Sequence, residues 1–278
     1  MTALRLEALI GDPRDLPSLP ALVLELMATL DQADIRISQL ADKIMLDQAL
    51  AARTLRLANS PFYGMTARVV TIEQAITILG MSTVRMVVTA ISMTTAFGRD
   101  SNAAFDADHF WRKAIATAIC AKNLAARFDQ IPGTAFLAGL LHGIGELVIA
   151  TRCPDEYAAI LAYRSAMDCP QRDAELAVIG FQQSAVGAAL LLHWRFPDTI
   201  ISAIAHHDNP LPDDALAITV HLASVLAHAL DLTGDVAEAV PPVSDIAWAR
   251  LSIEPAALSF LLDNARLEYN SICQALAP

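Results

Sequence analysis

The chain has 278 residues, of which 55% are hydrophobic and only 6% aromatic, and its formal net charge is −11. That length can bury a sizeable core in one large or two modest domains, and the bias towards Ala, Leu, Ile and Val favours packed helices over sheets. A field this negative repels phosphate backbones, which argues against nucleic acid as a partner.

After Leu16-Pro17-Ser18-Leu19-Pro20, apolar residues recur at helical spacing (Leu22, Val23, Leu26, Met27, Leu30) and predict a helix that stops near Asp31. Ser38 is the expected cap of a short helix through Leu40 and Ile44. Asp47 caps the next, which runs through Leu55 to about Asn59 and is closed by Pro61. Thr71-Ile72-Glu73-Gln74 has capping-box spacing, and Gly80 stands where a left-handed C-terminal residue is wanted. Ser82 restarts the chain into an apolar face of Val84, Val87, Val88 and Ile91.

The polar stretch at 98–106 is the clear composition shift, and it divides the chain into lobes 1–105 and 106–278. Beyond it the pattern predicts helices at about 108–128, 134–150, 155–167, 173–180, 184–194, 198–207, 215–230 and 255–274. Pro132-Gly133, Pro154, Pro197 and Pro210 mark the turns between them. No internal repeat, low-complexity tract or heptad run interrupts the series. The expected fold is all-α, with an N-terminal multi-helix lobe packed on a second helical bundle.

A mean hydropathy of +0.43 raises the question of a membrane protein, yet no convincing run of about 20 apolar residues is present. The stretch 176–194 is broken by Gln182, Gln183, Ser184 and His193, and 215–230 carries His221 and His228. Residues 1–11 include Arg5 and Glu7 and lack a secretory pattern, so the expectation is a cytoplasmic protein away from the membrane. Cys120, Cys153, Cys169 and Cys273 form no C-x-x-C pair and are expected to be reduced, mostly buried thiols. Residues 37–60 imitate a DNA-reading helix-turn-helix, but their second helix offers only Arg53 and Arg56, too few donors for base readout.

Ala138-Gly139-Leu140-Leu141-His142-Gly143-Ile144-Gly145-Glu146-Leu147 resembles the signature helix of the HD superfamily of metal-dependent phosphohydrolases, in which His-Asp stands where His142-Gly143 stands here. The N-terminal half carries more. Leu16 to Pro20, the Leu55-Arg56-Leu57-Ala58-Asn59-Ser60-Pro61-Phe62-Tyr63-Gly64 run, Glu73-Gln74-Ala75-Ile76 with Leu79-Gly80, and Val84-Arg85 together are similar to the HDOD family, over about residues 12–210. The resemblance implies an HD-like helical bundle and a regulatory role, in pathways such as those of two-component receivers or cyclic di-GMP.

An HD site holds a divalent ion with several donors, carboxylates among them, and acidifies its bound water. Carried over position by position, the resemblance puts Lys113 where the first His is expected, after Trp111. It keeps His142, replaces the adjacent Asp with Gly143, and puts Ser224 at the final Asp. One donor of four is too few for a metal site. The chain also departs from the HDOD pattern at Gln183, where a His is expected.

The expectation is therefore a chain without catalytic residues, metal or cofactor, which meets another signalling protein in trans and leaves room for self-association. Asn59, Tyr63 and Arg85 are the candidate partner surface, although Asn59-Ser60 at a helix end also reads simply as a turn. Lys113, His142, His206 and His207 are the candidate anion contacts of the cleft; His206-His207 reads equally as a complement to a helix C-terminus. Gly139 and Gly143, four apart, point to a close approach by a neighbouring helix. Two alternatives stand beside the adaptor: a residual metal-dependent phosphohydrolase, and a nucleotide sensor that binds without cleaving.

Overall fold

The computed structural model describes residues 6, 9, 19–27, 36–65, 68–97, 105–232 and 240–276. All regular structure among them is helical, as the apolar periodicity predicts. Two compact lobes form. The first combines Leu19–Gly98 with Glu254–Pro278, and the second combines Arg99–Ile253 with Met1–Ser18.

In the first lobe, α1 (Ala21–Met27) is followed by α2 (Ile37–Met45), α3 (Gln48–Ala58), α4 (Ile72–Leu79) and α5 (Met81–Phe97), and the long C-terminal helix α15 (Pro255–Leu276) returns to pack on α3. The expected boundary at 105/106, with the tail extending the second lobe, is corrected here. Leu261, Ala265, Tyr269, Ile272 and Ala275 of α15 are buried in one helical stripe, and the Ser60 and Ser271 hydroxyls share a buried hydrogen bond of 2.6 Å. A stripe recurring every three or four residues shows that a helix is covered. It carries no address for what covers it.

Local signals set most helix starts. Asp47 caps α3 by accepting from Ala49 N and Leu50 N. Thr71 accepts from Gln74 N at 3.2 Å, but Gln74 returns its Oε1 to Val70 N, one residue before the reciprocal partner of a capping box. Ser38 caps nothing: α2 begins at Ile37, after an extended Arg36. Gly80 has φ +82° and ψ 147°, positive but outside the left-handed helical region, which lets the chain turn at once into α5.

The second lobe is built around α6 (Ala107–Leu124), whose residues 114–121 are all buried. A 3-10 turn at Ala125–Phe128 ends it, so the helix predicted to run to 128 stops four residues earlier. Then follow α7 (Pro132–Leu141), α8 (Ile144–Arg152), α9 (Pro154–Met167), α10 (Gln171–Val178), α11 (Gln183–His193), α12 (Asp198–His206) and α13 (Ala215–Ala229). A further helix, α14 (Asp245–Leu251), has too short an apolar pattern to be read from sequence.

The helix predicted at 134–150 is interrupted at His142-Gly143. Its glycines have different reasons. A Cβ on Gly139 would lie 2.8 Å from Ala118 Cα, so α6 and α7 approach at backbone distance. On Gly143 it would meet the Phe110 ring at 3.2 Å, a yielding neighbour. The stretch Pro132–Arg152 is long and apolar enough to cross a bilayer, but 89% of its 18-residue apolar window is buried inside the protein. Of the four free cysteines only Cys120 is buried; Cys153, Cys169 and Cys273 are half-exposed, against the expectation of mostly buried thiols.

Candidate functional site

The second lobe holds a cavity of about 570 Å³ at the place marked by His142. Lys113 reaches it from α6, His142 from the α7–α8 break, Arg164 from α9, Arg172 from α10, Gln183 from α11, His207 and Asp208 from the end of α12, and His221, Ser224 and His228 from α13. His142 and His207 are buried at the floor, while Ser165 and Asp168 are exposed at the rim.

Four imidazoles around this cavity each hydrogen-bond through Nδ1 to a backbone carbonyl. His142 bonds Gly139 O at 2.7 Å, His207 bonds Ile204 O at 2.8 Å, His228 bonds Ser224 O at 2.7 Å, and His221 bonds the His207 carbonyl at 2.8 Å. A carbonyl only accepts, so each Nδ1 carries the proton and Nε2 is left as the variable atom. In His221 that atom is also committed, accepting from Ser244 N at 2.9 Å.

Burial holds the His142 imidazole well below its ordinary value, with His207 and then Lys113 adding to the effect; the Gly139 carbonyl opposes it only in part. His142 is therefore neutral at physiological pH. Its ring meets that of His207 edge to face, with centroids 5.4 Å apart. Burial lowers His221 in the same direction.

The same Nδ1-to-carbonyl bond orients imidazoles in metal sites, which makes the donor set the test of whether these residues fit an ion. Among the described residues, no three His, Cys, Asp or Glu side chains are grouped to hold one. Gly143 contributes no side chain, Ser224 lines the wall with a hydroxyl, and the Lys113 ammonium acts on His142 from the same space. A divalent cation requires several ligands around it.

Behind the cavity lies a network that sequence reasoning missed. Gln183 joins two helix starts: its side-chain oxygen accepts from Glu146 N at 3.2 Å, and its own N–H donates to Glu175 Oε2 at 2.8 Å. Burial pushes the Glu175 carboxyl up to about 8, opposed by that N–H and reinforced by Glu146. Glu146 in turn accepts from the Tyr157 hydroxyl at 2.9 Å and Gln171 Nε2 at 3.3 Å. Periodicity gives no warning of Glu175, because Ala174 is the only apolar residue buried beside it on α10.

The structure separates the other expected residues. His206 is no part of the cavity: its Nδ1 bonds Ser202 O at 3.0 Å, so of the paired histidines one lines the cleft and the other satisfies a helix end. In the first lobe Arg85 is only 5% exposed, which corrects its assignment to a surface, while Tyr63 is half-buried. Burial, and next the Glu268 carboxylate, push the Tyr63 phenol up. Asn59 is exposed, but its amide clamps the turn, donating to Leu55 O (2.8 Å) and Val69 O (2.9 Å) and accepting from Val69 N (2.8 Å).

The family model described as HDOD domain matches residues 16–210. Among solved structures, an HDOD domain protein of unknown function from Geobacter sulfurreducens superposes with a TM-score of 0.81 at 22% identity, covering 94% of this chain and 93% of that one. A candidate phosphohydrolase from Shewanella amazonensis SB2B gives 0.75 at 28% identity, with 97% and 98% covered. A candidate signal transduction protein from Marinobacter aquaeolei VT8 gives 0.74 at 23%, with 98% and 61% covered. An uncharacterised protein of Treponema pallidum (strain Nichols) is 27% identical over 223 residues, which are 78% of this chain and 43% of that protein. The chain thus spans less than half the length of the curated relative it matches.

Proposed function

The chain belongs to the HDOD domain family, and from that premise we propose that it is a regulatory module of a cytoplasmic signalling pathway, acting by binding another protein in trans and not by hydrolysis. One observation carries the reading. The position that would serve the first metal donor is a lysine that lines the same cavity as His142, and a cation there opposes a second cation in the same space. The neighbouring position, Gly143, leaves nothing to hold or orient an attacking water.

The rival reading is hydrolysis of a nucleotide or phosphodiester, favoured by the likeness to a protein named for phosphohydrolase activity. Metal analysis of the purified chain, followed by assay of a generic phosphodiester with added manganese, decides between them. The expected result is substoichiometric metal and no turnover above buffer. Stoichiometric manganese with turnover lost in His142→Ala would overturn the proposal.

A further inference from the structure

We infer that the cavity of the second lobe binds a small phosphate ester that also carries hydroxyl or N–H donors, gripping the phosphate with Arg164, Arg172 and Lys113. This rests on the reading that the site does not hydrolyse, since it treats the cleft as a receptor.

The charges make the first argument. In a chain whose net charge of −11 would otherwise repel an anion, three cations from three separate helices line one cavity, and a bound anion relieves their mutual repulsion. Neither arginine is neutralised there by a buried carboxylate. The Arg164 guanidinium donates to Gln171 Oε1 at 3.4 Å, and Arg172 donates to the Asp208 carbonyl at 3.3 Å with Asp173 at 3.7 Å beside it. Both side chains are half-exposed and keep donors for a fork-like grip on phosphate oxygens.

The acceptors make the second. Asp168 and Asp208 line the same cavity. They would oppose a bare inorganic anion but can accept from a ligand hydroxyl or amine. His142, with its proton committed to Gly139 O, offers a lone pair on Nε2 at the floor. A ligand with phosphate at one end and donors at the other satisfies both sets, and about 570 Å³ lies within the range of small-molecule sites, roughly 300–1,000 Å³.

Calorimetry on the whole chain in EDTA, with ribose 5-phosphate, guanosine monophosphate, unphosphorylated guanosine and inorganic phosphate as probes, tests the assignment. At least one of the two esters should give saturable heat and bind at least tenfold tighter than guanosine and than inorganic phosphate. Arg172→Gln and Arg164→Gln should each weaken that ester at least tenfold, while Arg127→Gln, an exposed change outside the cavity, leaves it unaltered. Both cavity arginines are half-exposed, and unchanged melting of the variants excludes misfolding as the cause. Silence with both esters, or affinity indifferent to both cavity variants, overturns the inference. Cleavage of the probe after manganese is added would instead refute the non-hydrolytic reading while leaving the binding site in place.

Discussion

The backbone of Gly145 lies against the carbonyl of Gln183 so closely that a Cβ on Gly145 would fall 1.9 Å from that oxygen. Gly187 N is 2.7 Å from the same point, so α8 and α11 touch backbone to backbone beside the cavity. This contact positions the Gln183 side chain over the first turn of α8.

Gly145→Ala should therefore be severe, because backbone cannot yield as a side chain can. We expect a loss of about 3 kcal/mol, the upper end of ordinary overpacking, seen as melting lower by roughly 6–12 °C. Gly143→Ala, whose nearest neighbour is the mobile edge of Phe110, should stay within about 1 kcal/mol of the wild type. Equal effects in thermal denaturation would refute the distinction.

Glu175 should make stability fall as pH rises. Its folded value of about 8 lies above the ordinary 4.5, so the folded state holds a proton that the unfolded chain releases. The contribution is fully present below about 4.5 and lost as pH climbs through about 8. Glu175→Gln removes this dependence, and the variant should gain on the wild type by a few °C between pH 5 and 8. A constant difference across that window would contradict the assignment.

His142 acts in the opposite sense. Its folded value is depressed, so stability is present above about 6.5 and declines as pH falls below it, where the unfolded chain binds the proton first. Long-range nitrogen correlation spectra at pH 7 should show His142 and His221 neutral, with the proton on Nδ1. Imidazolium signals for either would contradict the burial that holds them.

Asn59→Ala should destabilise the first lobe by about 1–3 kcal/mol, since it leaves the Val69 N–H and carbonyl without their side-chain partner. Asn59→Asp should restore only the acceptor half. Hydrogen exchange at Val69 N, fast in the alanine variant and slower in the aspartate variant, checks the ordering.

Much of the helical framework was legible because its signals are local. Asp47 and Thr71 announce helix starts through side-chain oxygens that reach donors two or three residues away, and the stripe on α15 is visible in its spacing. The destination of α15 was not legible, because packing partners are set by shape between segments far apart in the chain and not by periodicity. The site divides in the same way. Lys113, His142 and His207 stand out by chemical type and position, whereas Arg164 and Arg172 flank the α9–α10 turn and look like ordinary solvated charges until the fold brings them to the cavity. Arg85 shows the converse: a charged residue in an apolar run, read as surface, lies 5% exposed.

The return of α15 to α3 means that the second lobe is spliced into the first and not appended to it. Cutting the chain once near residue 105 would strip α3 and Ser60 of the helix that covers them, leaving a sticky, half-built remnant. Cuts after residues 18, 98 and 253, with residue 98 rejoined to residue 254, are what would release the first lobe whole. Deletion mapping that trims from the C-terminus would damage the first lobe before it reached the second, and a loss of binding in such a series would point to the wrong half of the molecule.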